Sequence, residues 1–354
     1  MTPDGGSPLR GGLIGFGAVA EKGHLPEWTR TTGVEIIGVA ESDEARRAAA
    51  RAFLPGARVC SAVEELFADG HLDFVDICVP SSRHAEVAGA ALRNNIPVLC
   101  EKPLACRVPD AENLITLGIH SKRAVFTVHN WMFAPSIARV QELLSQDAIG
   151  TVRRCRWETI RTQPAGASAW RADAQDEGGG LLFDHGWHAL YVVARWMNAR
   201  PLSLTAKCSR SGHDYSCGET WDLKLIFPQG AAEIHLTWAG ANRKNHAALE
   251  GTKGSLQMRD DTILVERKGA IETIPTGSAV SAGSYHPDWF GGVIRDFLHA
   301  IRPDGSGRDI LRRNQEEALL CARLIEAARR SHGCDGSSVD LDHDSIATEH
   351  VAVS

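Results

Sequence analysis

Residues 12–26 read GLIGFGAVAEKGHLP, an apolar run that breaks into glycines and then into a helix-forming stretch. Gly15, Gly17 and Ala20 make a GxGxxA pattern, with Phe16, Ala18 and Val19 between them. Glycine at these positions lets a backbone turn come close to a pyrophosphate at a helix N-terminus. A glycine-rich turn can also be only a turn, and Glu41 is what adds weight. It closes the next apolar run 21 residues after Ala20, near the offset of roughly 20 at which an acid binds the adenine ribose. Otherwise Glu41 is a solvated loop acid. Its neighbours Ser42 and Asp43 bring no arginine for a 2′-phosphate, so the expected cofactor is NAD (NADH) rather than NADP.

Outward from this turn, apolar runs at 12–15, 34–40, 74–79, 97–100 and 124–129 carry few charges, as strands buried on both faces do. Alanine-rich, charged segments at 44–53, 62–69 and 84–94 separate them. The alternation predicts an N-terminal α/β unit, a doubly wound parallel sheet over residues 1–130. After Phe133 one helix is expected at 136–146, followed by alternating runs at 152–160, 219–227, 231–238, 255–258 and 262–266. In Trp221, Leu223, Leu225 and Phe227 every second residue is apolar, as on the covered face of an antiparallel sheet. A second, α+β domain with an open, largely antiparallel mixed sheet is therefore expected over 131–290. Helices fill 291–334, the last (310–330) amphipathic and packed back on the first domain. Residues 335–354 read as a polar tail.

Composition narrows the function. With 354 residues, 43% of them hydrophobic, the chain has ample core for two domains. Its net charge of −6, with no dense basic cluster, argues against nucleic acid. Nine scattered cysteines without a CxxC pair fit reduced thiols in the cytoplasm and predict no metal site. No apolar run is long enough to span a bilayer, and the start has no export pattern, so no membrane partner is expected.

Two further motifs carry chemistry. VDICVPSSRH places Pro80, Ser81 and His84 just beyond a strand, and PVLCEKP ends the next strand in Glu101, Lys102 and Pro103. Ligands of open α/β sheets bind beyond the carboxyl ends of the strands, so Lys102 falls where a nicotinamide ring would lie; a lysine after a strand is otherwise commonly solvated. WRADAQDEGGGLLFDHGWHALYVVARWM runs from Trp170 through a triple glycine into an apolar helix. Asp184 and His188, four residues apart, share one face of that helix. They read either as a surface pair or as catalytic groups; a metal reading adding His185 lacks a fourth ligand.

Together these motifs resemble the glucose-fructose oxidoreductase/inositol dehydrogenase (Gfo/Idh/MocA) family over nearly the whole chain. The resemblance implies NAD(P)-dependent oxidation or reduction of a hydroxyl or ketone on a sugar-like ring. It implies assembly as a homodimer or homotetramer through the second sheet, and a catalytic set of Lys102, Asp184 and His188. Cofactor contacts would come from Gly15, Phe16, Gly17, Ala18, Val19, Ala20, Glu41, Pro80, Ser81, His84, Glu101 and Lys102. Two positions depart from the family pattern. Around Asn130 to Phe133 many relatives carry a basic residue suited to anionic substrates, where this chain has Trp131 and Met132; the acid usual shortly after the histidine is Tyr191.

Removing hydride from an alcohol needs a partner for the hydroxyl proton. His188, with an ordinary pKa near 6.5, is the preferred base, with Lys102 stabilising alkoxide charge and Asp184 orienting the ring or the base. Which of Lys102 and His188 takes the proton depends on distances. For the substrate, Asp173, Asp176 and Glu177 beside Arg171 either form a solvated loop favouring the helix dipole or line a pocket that rejects anions. With Trp131, Trp170 and Trp187 as faces for the ring, the second option gives an aminoglycoside-like sugar oxidised at position 3, whose ketone a downstream aminotransferase converts to an amine. Inositols or nucleotide sugars are the alternative substrates, and a non-catalytic NAD(P)-binding regulator is the competing class.

Overall fold

A computed structural model of the chain describes residues 7–68, 71–162, 178–210 and 219–341. The first sheet contains β1 (Leu9–Ile14), β2 (Val34–Ala40), β3 (Arg58–Cys60), β4 (Phe74–Ile77), β5 (Val98–Cys100) and β6 (Val125–Thr127). All its pairings are parallel, in the order β3-β2-β1-β4-β5-β6. The order reverses between β1 and β4, and that crevice is where such sheets take ligands. The strands are short and buried on both faces, which is why they read as unbroken apolar runs.

Helices α1 (Leu25–Trp28), α2 (Glu44–Phe53), α3 (Val63–Ala68), α4 (His84–Arg93) and α5 (Val108–Ser121) connect these strands. Asp43 caps α2, its carboxylate accepting the Arg46 N–H at 2.9 Å. A π-helical turn, Ala20–His24, precedes α1.

After α6 (Pro135–Ser145) comes the long strand β7 (Val152–Thr162). It joins β8 (Ser203–Arg210), β9 (Glu219–Phe227), β10 (Gly230–Thr237), β11 (Ala239–Gly251), β12 (Gly254–Arg259), β13 (Thr262–Arg267) and β14 (Ala270–Pro275) in a nine-stranded sheet. β15 (Val339–Asp340) completes the sheet by pairing with β8, so the polar tail contributes a strand. Among the described residues of this sheet only β10 and β7 run parallel; the rest is antiparallel.

A second π-turn, Leu182–Gly186, leads into α7 (Trp187–Met197), whose apolar side lies on this sheet. Helix α8 (Pro287–Ala300) covers the outer face of the first sheet, Phe297 meeting Phe74 and Phe126 edge-on at 5.5 and 6.0 Å. Helix α9 (Arg308–Gly333) bridges the two sheets. Its Asn314 exchanges both amide hydrogen bonds with the Thr127 backbone at the end of β6, and its Ser331 bonds the Ala206 backbone on β8. No helix among the described residues is long and apolar enough to cross a membrane.

Candidate active site

The site begins where β1 runs out. Gly15 has φ +86°, and a Cβ there would lie 2.9 Å from the Cys78 carbonyl, so the turn closes against the end of β4 only with glycine. Glu41 is buried behind this turn. Its carboxylate accepts the Phe16 N–H at 2.6 Å and the Asp43 N–H at 2.8 Å. It therefore braces the glycine loop rather than standing free. Ser42 and Asp43 bring no arginine, but the fold supplies one from further along the chain. Arg46, brought back by the first turn of α2, lines the cleft, its guanidinium 3.6 Å from where a Gly17 side chain would start.

A cleft of about 800 Å³ runs from Gly17, Ala18 and Val19 past Pro80, Ser81 and His84 to Glu101 and Lys102. It continues between Trp131 on one side and, on the other, the π-turn carrying Asp184 and the first turn of α7 carrying His188. Gly15, Phe16 and Ala20, also expected at the cofactor, are buried and do not line the cleft. His84 ties the loops together, its ring nitrogens 2.6 and 3.0 Å from the carbonyl oxygens of Pro103 and Val79.

His24 reaches up from the first π-turn and stacks on Phe290 at 3.7 Å. Its Nδ1 lies 2.9 Å from an Asp76 oxygen and its Nε2 3.0 Å from Glu101. Burial alone would lower its pKa, but Asp76 and Cys78 together hold it well above the ordinary value, leaving an imidazolium between two carboxylates. His24, Asp76 and Cys78 also have the donor types and spacing of a metal site. The sequence predicted none, and both nitrogens of His24 are already engaged. Burial and Asp76 push the Cys78 thiol up to about 12, so it is inert as a nucleophile.

The opposite wall starts at Gly178 and Gly180, both at positive φ. The buried Glu219 carboxylate accepts the Leu181 N–H at 2.7 Å and so anchors the start of the π-turn. Asp184 and His188 therefore do not stand on an uninterrupted α-helical face; the wider turn sets them apart. Lys102 Nζ donates to the Asp184 carbonyl at 2.7 Å and lies 3.5 Å from its carboxylate, and His185 Nε2 lies 3.4 Å from the other oxygen.

The His188 ring stacks on Trp131, centroids 4.5 Å apart and 8° from parallel. Its Nδ1 is 2.8 Å from the Tyr191 hydroxyl, which accepts the Trp131 N–H at 3.1 Å. Burial, and then the Lys102 charge, drive the His188 pKa well below its ordinary value. Burial likewise lowers His185 to about 3. Both rings are neutral near pH 7.

Trp187 is a correction. It is wholly buried in the core, its carbonyl facing the Cys321 thiol, and cannot offer a face to a ligand. Trp170, Arg171, Asp173, Asp176 and Glu177 lie outside the described residues. Sequence reasoning missed Arg46, Arg161 and Arg243, which all line the cleft. Arg161 had a signal: it follows Trp157 and Thr159 on the covered row of β7, where an apolar residue would be expected.

The description "Oxidoreductase family, NAD-binding Rossmann fold" matches residues 9–129, and "GFO/IDH/MocA C-terminal domain" matches residues 137–257. The chain belongs to the Gfo/Idh/MocA family. As such it is an NAD-dependent oxidoreductase. The cleft suits the cofactor on its own geometry, because an elongated groove follows the carboxyl ends of β1, β4 and β5 from a glycine turn to Lys102.

Among Gfo/Idh/MocA relatives, the dTDP-3,4-didehydro-2,6-dideoxy-alpha-D-glucose 3-reductase of Actinomadura kijaniata is 29% identical over 343 residues, 93% of this chain and 97% of the relative. The 1,5-anhydro-D-fructose reductase of Ensifer adhaerens is 27% identical over 254 residues, 70% and 74% of the two chains. The structure of GenD2 from gentamicin A biosynthesis in complex with NAD matches with a TM-score of 0.79 at 22% identity, covering 95% of this chain and 97% of that one. At that identity the likeness speaks for the fold.

Proposed function

We propose that the chain interconverts a secondary hydroxyl and a ketone on a sugar-like ring, with Lys102, Asp184 and His188 as its catalytic residues. The observation that carries this is the convergence of a lysine, a carboxylate and a neutral histidine at the cleft end beyond β5. Gly17, Ala18 and Val19 would hold the pyrophosphate of NAD, which when bound supplies the hydride acceptor. The neutral His188 takes the hydroxyl proton at Nε2 while Nδ1–H donates to Tyr191. Lys102 steadies the developing alkoxide charge, and Asp184 positions both Lys102 and the ring.

The finer substrate reading, an aminoglycoside-like sugar oxidised at position 3 and handed to an aminotransferase, drew on two premises. Its acids, Asp173, Asp176 and Glu177, lie outside the described residues, and against the absence of a basic residue at Asn130 to Phe133 stand Arg161 and Arg243, which line the same cleft. The Actinomadura relative, named for a dTDP-sugar, supports the nucleotide-sugar alternative instead. Assembly as a homodimer or homotetramer in the cytoplasm is part of the proposal, and the assembly is checked by light scattering on the purified protein.

The deciding experiment follows absorbance at 340 nm with NAD or NADH and a panel of sugars, inositols and nucleotide sugars. Lys102→Ala and His188→Ala should each lower turnover by roughly 10² to 10⁴ while still binding NADH. If the parent binds NADH but turns over no member of the panel, the non-catalytic regulator is the better reading.

A further inference from the structure

We propose that the substrate end of the cleft is an anion subsite, in which Arg161 and Arg243 hold a phosphate or carboxylate carried by the substrate. This rests on the ring-oxidoreductase reading for its placement beside His188, and it names the substrate class.

Arg161 ends the covered row of β7 and is only 4% exposed. Its Nη1 donates to the carbonyl oxygens of Ile160 and Lys244 at 2.8 and 2.9 Å, while its buried Nε has no hydrogen-bond partner. Two carbonyls satisfy N–H groups, but they do not neutralise a buried charge, and such charges are normally paired. The charges of Asp260 and Asp184 reach it without forming an ion pair, and both carboxylates have other partners. Asp184 meets Lys102 and His185, and Asp260 accepts the backbone N–H groups of Asn245 and Ser281. Among the described residues no carboxylate forms an ion pair with Arg161.

A second cation faces the first. The pairing of β7 with β11 slips between Ala239 and Lys244, so that residues 240–243 bulge out of register opposite Arg161. A Cβ on Gly240 would sit 2.2 Å from the Ile160 side chain, so the bulge depends on that glycine. Bulges beside active sites commonly re-aim a side chain, and this one brings Arg243 to the cleft wall, where its Nη1 bonds Ser284 at 3.2 Å. Burial and then the Arg243 charge lower Arg161 to about 10. Two guanidinium groups left facing one cavity suit a ligand that brings the missing negative charge, and guanidinium forks match carboxylate and phosphate oxygens alike.

The test is a binding titration at low salt, with NADH saturating so that phosphate cannot report on the cofactor groove. The probes are inorganic phosphate, UDP-glucose, glucose 6-phosphate, glucuronate, glucose and glucosamine. The expected result is that at least one anionic sugar binds roughly tenfold to a hundredfold tighter than glucose or glucosamine, the range a charge-assisted hydrogen bond supplies. Added salt should weaken it. Tighter binding of UDP-glucose or glucose 6-phosphate assigns the group as phosphate, and tighter binding of glucuronate as carboxylate.

Arg243→Gln and Arg161→Gln should each erase most of this preference. Because Arg161→Gln alters a buried residue, Arg161→Lys and the exposed Arg243→Gln decide the matter if it fails to fold: Arg161→Lys should keep part of the preference and Arg243→Gln should lose it. Equal binding of charged and neutral sugars by the parent, preference for glucosamine, or an unchanged preference in Arg243→Gln would overturn the proposal. Lys102→Ala separates the two claims. It should lower turnover by roughly 10² to 10⁴ and still bind anionic sugars in preference to neutral ones, so a failed oxidoreductase reading shows in turnover and a failed subsite in that preference.

Discussion

A single hydroxyl sets how His188 can work. The Tyr191 oxygen has two lone pairs and accepts the Trp131 N–H with one of them; with the other it can accept Nδ1–H of His188, leaving Nε2 bare toward the cleft. Tyr191→Phe removes that acceptor and frees the ring to take the other tautomer. Turnover should fall about tenfold, the worth of a typical lost hydrogen bond, with NADH affinity unchanged and the pH dependence of kcat/KM altered. A parental pH profile in the variant would reduce Tyr191 to a packing residue. Because His188 is held well below its ordinary pKa, the parent should show no acid limb in kcat/KM near pH 6.5, in contrast to what an unperturbed histidine implies. The cofactor end gives a second single-residue test. Glu41 lies behind the glycine turn that Arg46 overhangs, so Glu41→Ala should shift the kcat/KM ratio from NAD toward NADP by removing the charge that repels a 2′-phosphate, and should lower Tm because the buried Phe16 N–H and the half-buried Asp43 N–H lose their acceptor.

The second π-turn positions Asp184, one of the residues proposed as catalytic, and a carboxylate on β9 holds the start of that turn. Glu219 accepts the Leu181 N–H through one oxygen and the Trp221 indole N–H, at 2.8 Å, through the other. Glu219→Gln would turn an amide N–H toward one of these donors. The expected result is a loss of about 1–3 kcal/mol in stability, read by urea denaturation, together with a fall in turnover; unchanged stability would show that Glu219 does not anchor the turn. The sequence disclosed this element only in part. GGG followed by Asp184 and His188 marked the place, but a helical period predicts a plain α face, and nothing in the letters distinguishes a π-turn. The long strands were legible where one face is covered, as in β9, where the buried pattern alternates from end to end. β14 escaped notice because it is an edge strand with almost no buried residue, and β11 because its bulge breaks the alternation. The GxGxxA turn and Lys102 were readable because strand, glycine and strand end are adjacent in the chain. Arg161 and Arg243 were not, because their meeting depends on the register of two strands about 80 residues apart.

Across the whole molecule the buried histidines set the response to acid. Burial lowers the pKa of His84, His129, His185, His188 and His286, with His185 brought to about 3. In the unfolded chain each returns to about 6.5. Below that value the unfolded state binds protons that the folded state refuses, so the contribution of these residues is complete above about pH 6.5 and is lost as pH falls. His24 acts with the opposite sign. Its folded pKa is raised by Asp76 and Cys78, so its contribution is complete below about pH 6.5 and fades as pH rises through the folded value. Glu101 and Glu317, both held below the ordinary carboxylate range, reinforce the five histidines, but only at more acid pH, as their carboxylates are forced to protonate. Five groups against one give a net loss, and urea midpoints should decline steadily from about pH 7 to about pH 5, before carboxylate titration begins in earnest. His188→Gln should flatten part of that decline, since glutamine has no proton to refuse, whereas His24→Gln should steepen it by removing the one opposing histidine. Midpoints that hold level or rise over that range would mean that these imidazoles are hydrated in the folded protein, and that the cleft is open enough to protonate His188.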